Sequence, residues 1–159
     1  MLANHLKWEK NDDYETPLEA WKTILEYIPK TEKLWLPFYF NGNAESMVES
    51  LGYDVEHHNL DFFEYDLPNH LVIDNPPYAN KKEVVNHLKQ RNKPFALLLP
   101  LHTLERNYIY GDNNLQILIK KGKFNFLKGK AKCSPPYKAC WFCWGMKDYL
   151  KTDKQFIFV

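Results

Sequence analysis

The sequence predicts an α/β sandwich built around a mostly parallel sheet. Strand-like and helix-like segments alternate over the first 100 residues, a pattern typical of strand–helix–strand units with right-handed crossovers. The apolar run FALLL at residues 95–99 is uninterrupted, which indicates a central strand covered on both faces. A β-rich C-terminal part follows, so we expect the sheet to end in an antiparallel C-terminal hairpin.

The first predicted helix covers residues 16–28. Thr16 can serve as its N-cap, Pro17 fits the first helical position, and Glu19 stands where a capping box requires an acid. Apolar residues from Leu18 onward share one stripe of this segment. We therefore expect the helix to pack on the sheet along that stripe.

A buried strand is predicted at residues 34–38, followed by a helix from Ala44 to Leu51 that Gly52 ends. The next predicted elements are strands at residues 53–57 and 71–74 and a helix at residues 81–90. Beyond residue 100 the pattern loosens. There we predict strands at residues 124–127 and 139–144, joined by a lysine-rich stretch, and an edge strand in the last five residues.

Length and composition restrict the class of protein. The chain has 159 residues, of which 45% are hydrophobic and 26% charged, which predicts one globular domain over residues 1–159. No apolar run reaches the ~20 residues that span a bilayer, and the N-terminus has no apolar signal core. Three clustered cysteines, an odd number, favour a reducing compartment over a disulfide framework. We expect a cytoplasmic protein without a membrane partner.

The segment LVIDNPPY at residues 71–78 carries the clearest functional signal, because an apolar strand ends abruptly in a polar residue and two prolines. Ligands of open α/β sheets bind beyond the carboxyl ends of strands, which places Asn75 at the rim of such a crevice. The Asn75 side-chain oxygen and the Pro76 carbonyl can converge on one NH2 group, and Tyr78 offers a face for the attached ring. Held in this way, the nitrogen can attack an electrophilic methyl group without prior deprotonation. The alternative is an ordinary proline turn after a strand.

Asn-Pro-Pro-Tyr after an apolar strand resembles the catalytic motif of amino-methyltransferases that use S-adenosylmethionine. Over residues 14–100 the chain most resembles small phage- and virus-type DNA N6-adenine methyltransferases. The resemblance implies a Rossmann-like class I methyltransferase sandwich, S-adenosylmethionine as cofactor, and DNA or RNA as partner, with no metal. It also implies the cytoplasm of a bacterial host if the protein is phage-encoded. Its catalytic residues would be Asn75, Pro76, Pro77 and Tyr78.

The same resemblance implies a cofactor site ahead of the motif. Its candidate residues are Thr16, Pro37, Phe38, Gly42, Glu56, Asp61 and Phe62. Thr16 and Gly42 would bind the methionine end, Asp61 the adenine amine and Glu56 the ribose. The alternative roles are a helix cap for Thr16 and a turn acid for Asp61.

The cofactor loop departs from the family pattern Asp-Pro-Phe-x-Gly-x-Gly. Leu36 replaces the acid and Phe40 the first glycine, so we expect Phe40 to crowd the methionine end or to force another loop path. Two main hypotheses follow. The chain is an adenine-N6 methyltransferase, or it is a degenerate methyltransferase-fold module that binds nucleic acid or a host protein. RNA-adenine and protein-glutamine methylation are further alternatives.

The charge distribution favours an anionic partner. Residues 1–80 carry 5 Lys or Arg and 15 Asp or Glu, whereas residues 81–138 carry 13 and 3. Candidates for phosphate contact are Lys123, Lys128, Lys130, Lys132 and Lys138. The alternative is that these lysines only solvate exposed faces. Tyr137 or Trp141 could fill the gap left by a flipped base, and Cys140 and Cys143 are expected to be packed on opposite faces of a strand.

Overall fold

The computed structural model describes residues 14–159. Its helices are α1 (Leu18–Leu25), α2 (Ala44–Ser50), α3 (Lys81–Gln90) and α4 (Lys147–Leu150). Its strands are β1 (Lys33–Trp35), β2 (Asp54–Glu56), β3 (Leu71–Asp74), β4 (Phe95–Pro100), β5 (Leu115–Ile119), β6 (Phe126–Lys128), β7 (Ala131–Cys133), β8 (Ala139–Trp144) and β9 (Phe156–Phe158). Within the described range, no helix has both the length and the apolar character needed to cross a bilayer.

Seven of these strands form one sheet in the order β2-β1-β3-β4-β8-β5-β9. Strands β2, β1, β3 and β4 are parallel to one another, whereas β8 runs antiparallel to both β4 and β5. Strand β9 lies at the edge, parallel to β5. The mostly parallel α/β sheet is thus confirmed, and the carboxyl ends of β1, β3 and β4 meet at one edge of it.

Helices cover both faces of the sheet because side chains of the central strands alternate. Ala96 and Leu98 of β4 join the core under α1, whereas Phe95, Leu97 and Leu99 join the core under α3. All six β4 residues are buried, as predicted for a central strand. Each large apolar side chain buried in this way stabilises the fold by about 1.5–3 kcal/mol.

The predicted helices are found, but the start of α1 differs. Pro17 is the N-cap, with no side-chain hydrogen bond at this end, and its carbonyl accepts from the N–H groups of Ala20 and Trp21. The prediction that Thr16 caps the helix is therefore wrong. The physical reason is that the Thr16 hydroxyl is used in a contact with Asn75.

The predicted C-terminal hairpin is also wrong in its pairing. Strand β8 is present, but its antiparallel partners are β4 and β5. Residues 126–128 pair instead with residues 131–133 in a separate two-stranded sheet. The sequence analysis missed β5, because Gln116 interrupts its apolar run; the structure buries that side chain, whose amide donates to the carbonyls of Thr152 and Lys154.

Candidate active site

Two loops meet at the edge of the sheet where β1 and β3 end. One is the first-strand loop, residues 36–43, and the other is the motif bend, residues 75–78. Asp74 joins them: its Oδ2 accepts from the Phe38 N–H at 2.7 Å, and its Oδ1 accepts from the Asn75 N–H at 2.8 Å. The last residue of β3 therefore fixes the start of the bend against the loop.

The Asn75 side chain is oriented by a residue from the beginning of the fold. Its Nδ2 donates to Thr16 Oγ1 at 3.0 Å. Its Oδ1 is buried and has no hydrogen-bond partner among residues 14–159. Because a buried acceptor without a partner is costly, this oxygen is available to an N–H group of a ligand.

Two small cavities share Asn75 as a lining residue. The loop cavity, of about 30 Å³, borders on residues just before and within α1, on the first-strand loop and on the end of β3. Its lining includes Thr16, Trp21, Phe38, Tyr39, Phe40 and Asp74. The tyrosine cavity, of about 10 Å³, is lined by Tyr14, Asn75, Pro76, Tyr78 and Tyr137. Asn75 and Tyr14 line both. A space reaching from the bend to the first-strand loop is thus present, but it is narrow.

The first-strand loop keeps a glycine-like backbone despite its phenylalanine. Phe40 has φ +49° and Gly42 has φ +79°. The Phe40 side chain lines the loop cavity and is 39% exposed. The Tyr39 hydroxyl lies over Gly42, where an added Cβ would come within 2.7 Å of it. The narrowness of the loop cavity therefore involves Tyr39 as well as Phe40.

Neither the comparison with protein-family models nor that with curated proteins finds a match for this chain. The resemblance carried by residues 75–78 therefore stays a prediction.

The candidate cofactor residues are brought together only in part. Thr16 and Phe38 line the loop cavity, with Pro37 beside Phe38 in the first-strand loop. Glu56 lies outside that lining and is held by His58, whose Nε2 is 2.5 Å from its carboxylate. The ribose role of Glu56 gains no support from this contact.

Asp61 and Phe62 also lie outside the loop cavity lining. Asp61 is buried, and its Oδ1 accepts from the Phe63 N–H at 3.0 Å, which is the geometry of a turn acid. Phe62 is buried between Trp35 and Phe38, with ring centroids 5.9 and 5.2 Å away. In this conformation, the adenine of a cofactor could stack on Phe62 only if the rings of Trp35 and Phe38 moved.

A second Pro-Pro-Tyr segment, residues 135–137, lies in the loop between β7 and β8. It carries Tyr137 to Tyr78, with ring centroids 5.4 Å apart in an edge-to-face arrangement. Trp141 is fully buried and its Nε1 donates to the Ala20 carbonyl at 2.9 Å. The prediction that Trp141 could contact a base is therefore wrong, because the strand places it in the core.

The lysine hairpin, strands β6 and β7 with their turn, lies next to this site. Leu127 exchanges two backbone hydrogen bonds with Glu15, the residue before Thr16. Lys128 lies over the Tyr14 ring, with Nζ 5.4 Å from its centroid. The backbone pairing thus places the positive charges of the hairpin beside the two cavities.

The five candidate lysines fall into two groups. Lys128, Lys130 and Lys132 are exposed on the lysine hairpin. By contrast, Lys123 Nζ donates to the Pro135 carbonyl, and Lys138 Nζ donates to the carbonyls of residues 120 and 122. These two ammonium groups hold neighbouring loops together. Within residues 14–159, the lysines of the first group make no such backbone contact.

Two supporting residues were missed by the sequence analysis. Asp74 could have been noticed as an acid at the end of an apolar strand. His57 donates from Nδ1 to the Leu36 carbonyl at 2.7 Å and stacks on Tyr39 at 5.0 Å. Burial lowers the pKa of His57, which favours a neutral ring under the first-strand loop.

The cysteines match their prediction. Cys140 and Cys143 are buried in opposite cores and, with Cys133, are free thiols. Burial raises the pKa of Cys140 to about 11 and that of Cys143 still further. Within residues 14–159, no group of three or more His, Cys, Asp or Glu side chains is placed to hold a metal ion.

Proposed function

We propose that this chain transfers a methyl group from S-adenosylmethionine to the N6 amine of adenine in DNA. The observation that carries the proposal is the buried Oδ1 of Asn75, which has no hydrogen-bond partner among residues 14–159. Asn75 lines both a cavity that reaches the first-strand loop and a cavity walled by tyrosines. An amine held by this oxygen would stand where a methyl donor in the loop cavity could reach its nitrogen.

The chain's own residues would act by binding and orientation. Asn75 Oδ1 and the Pro76 carbonyl would each accept one hydrogen of the amine, while Tyr78 would contact the attached ring. With both hydrogens accepted in this way, the nitrogen lone pair would be free to attack the methyl carbon. S-adenosylmethionine, when bound, supplies a methyl group on a sulfonium. The amine then loses one proton to water, so no protein base is required.

The fold supports this proposal at a coarser level. The parallel strands and the single antiparallel strand β8 near the C-terminus agree with a class I methyltransferase sandwich. The cofactor does not fit a cavity of about 30 Å³. Binding would therefore require Tyr39 to move off Gly42, and both Tyr39 and Phe40 already have exposed side chains.

The position of the lysine hairpin supports a nucleic-acid substrate. Its exposed lysines lie beside the cavities because Leu127 pairs with Glu15. Lysines at this place would bind phosphates while a base enters the tyrosine cavity, either flipped from a duplex or from a single strand.

The test is to incubate the protein with methyl-labelled S-adenosylmethionine and mixed-sequence DNA, RNA or a glutamine peptide. After digestion, we expect label in N6-methyldeoxyadenosine. Label found only in RNA, or only in the peptide, would mean that RNA or glutamine is the substrate in place of DNA. No label in any of the three, with a folded protein, would reject the proposal.

A non-enzymatic module is the second candidate, and the packing of Tyr39 over Gly42 favours it. If this closed loop is permanent, the chain binds nucleic acid or another protein without a cofactor. Calorimetric titration with S-adenosylmethionine distinguishes the two. Micromolar binding of S-adenosylmethionine would reject the module without cofactor. Binding of DNA by a protein that does not bind S-adenosylmethionine would support it.

A further inference from the structure

The two edges of the seven-stranded sheet differ in the side chains that they carry. Strand β2 forms one edge and has two acidic residues, Asp54 and Glu56. Strand β9 forms the other edge with the sequence Phe-Ile-Phe and has no charged side chain. Charged side chains on an edge strand discourage pairing with a further strand, whereas an uncharged apolar edge permits it. The edge formed by β9 is therefore the one that can accept a partner strand.

The outer side of β9 has backbone groups in the positions that a partner strand needs. The Val159 N–H donates to the carbonyl of Ile119, so the backbone of Val159 faces β5. Because backbone groups alternate in direction along a strand, those of Phe156 and Phe158 face away from β5. Among residues 14–159, no strand pairs with β9 on that side. The N–H and C=O groups of both phenylalanines are thus left for a partner strand.

Both phenylalanines lie on one face of the sheet, beside a cavity. Ile157 packs against the core under α1, so Phe156 and Phe158 point to the other face. They are 44% and 78% exposed. The edge cavity, of about 190 Å³, has a mostly apolar lining that includes Leu104, Ile109, Tyr110, Leu115, Ile117 and Phe156. The same surface therefore presents a protruding ring and an apolar recess.

We propose that a second copy of this chain pairs with β9 in antiparallel direction, about a two-fold axis that passes beside Ile157. In this register Phe156 lies opposite the partner's Phe158, and such a pair exchanges both of its backbone hydrogen bonds. Side chains of directly opposite residues lie on the same face. The partner's Phe158 would therefore contact Phe156 at the edge cavity. This inference does not depend on the proposed function.

A second copy fits this edge because the features of the surface complement one another. An interface about a two-fold axis uses the same surface on both partners, so that surface must supply both the protruding group and the recess. Here Phe158 is the protruding group and the edge cavity is the recess. No charged residue lies between Phe156 and Val159, so the axis brings no like charges opposite each other.

The area available at this surface predicts a weak dimer. Phe156, Phe158 and Tyr110 are exposed aromatic residues, and full burial of an aromatic side chain removes about 150–250 Å² from water. Because these rings are already covered in part, the two copies together would lose roughly 800 Å² from them. With Val159 and the strand backbone, the total approaches the ~1,000 Å² of the smallest specific interfaces. We therefore expect monomer and dimer in equilibrium.

The test is sedimentation velocity of the full chain over a wide range of protein concentration. Wild type should change from monomer to dimer as concentration rises and should stop there, because a two-fold interface closes on itself. Phe158→Glu should weaken dimerisation by about tenfold or more, since its carboxylate would be buried without a partner. Tyr65→Glu is the matched control: Tyr65 is an exposed aromatic residue away from this edge, and the variant should dimerise like wild type.

Amide hydrogen exchange of wild type tests the strand pairing without any substitution. The N–H groups of Phe156 and Phe158 should exchange several-fold more slowly at concentrations where the dimer forms. The Val159 N–H, which already donates to Ile119, should change less.

Four results would overturn the inference. The first is a wild type that stays monomeric at every concentration or assembles beyond the dimer. The second is a dimer in which exchange at Phe156 and Phe158 is unchanged. The third is equal dimerisation of Phe158→Glu and wild type, and the fourth is equal weakening of the dimer by Phe158→Glu and Tyr65→Glu.

Discussion

At the scale of single residues, the site consists of a few polar atoms held by long-range contacts. Thr16 binds the Asn75 amide, and Asp74 binds the backbone of Phe38 and Asn75. The Asn75 oxygen is left without a partner in the described chain. Because each of these contacts can be removed by a nearly isosteric substitution, their roles can be separated.

Thr16 is expected to position Asn75. Thr16→Val keeps the shape but removes the hydroxyl, so kcat of methyl transfer should fall by about tenfold, the equivalent of one hydrogen bond of roughly 1 kcal/mol or slightly more. Thr16→Ser should retain the rate. Steady-state kinetics with varied cofactor separates the two roles: an increase in KM for the cofactor with unchanged kcat would instead identify Thr16 as a cofactor ligand.

The φ of +49° at Phe40 predicts backbone strain in the first-strand loop. Left-handed backbone costs a non-glycine residue about 1–2 kcal/mol, part of which glycine returns through its greater freedom in the unfolded chain. Phe40→Gly should therefore be more stable than Phe40→Ala by about 1 kcal/mol, measured by urea unfolding. Equal unfolding midpoints of these two variants would contradict this backbone conformation.

The raised pKa of Asp74 predicts a pH effect on stability. A carboxyl group whose pKa is raised by folding binds its proton more tightly in the folded state, so its favourable contribution is lost as pH rises through the folded pKa. The unfolding free energy of Asp74→Asn relative to wild type should therefore increase from acid to neutral pH. Parallel pH profiles of thermal unfolding for the two proteins would rule this out.

At the scale of elements, the parallel strands determine where the site lies, and the lysine hairpin brings positive charge to that place. Strands β1 and β3 deliver the first-strand loop and the motif bend to one edge. The pairing of Leu127 with Glu15 attaches the hairpin at the same edge. The antiparallel direction of β8 carries α4 to the opposite edge.

Substitutions of the two lysine groups should therefore have different effects. The double substitution Lys130→Ala with Lys132→Ala should reduce the steepness of the plot of log affinity for duplex DNA against log salt concentration by about 2. Each phosphate contact contributes about 0.9 to that slope. Lys138→Ala should instead reduce thermal stability, because its ammonium holds two backbone carbonyls. The control for the hairpin variant is Lys147→Ala with Lys154→Ala, which removes two exposed lysines at the opposite edge of the sheet. A slope unchanged in the hairpin variant would contradict phosphate binding there.

At the scale of the whole molecule, local patterns predicted most of the sheet. The polar α3 and the apolar β4 were found from periodicity, and Asn75 was found because a strand ended abruptly before two prolines. Strand β5 was missed, since its buried Gln116 is satisfied only by carbonyls 36 and 38 residues away. The contact between Thr16 and Asn75 spans 59 residues. No pattern within one segment reveals contacts of that range, so the support of the site could not be predicted.

The central claim is that Asn75 Oδ1 receives the amine that becomes methylated. The most direct measurement is the single-turnover rate of methyl transfer to DNA by wild type, by Asn75→Ala and by Lys147→Ala. Loss of an acceptor at the reacting atom should lower the Asn75→Ala rate by about 100-fold or more, with cofactor affinity little changed and Lys147→Ala equal to wild type. Transfer by Asn75→Ala at the wild-type rate would contradict the account.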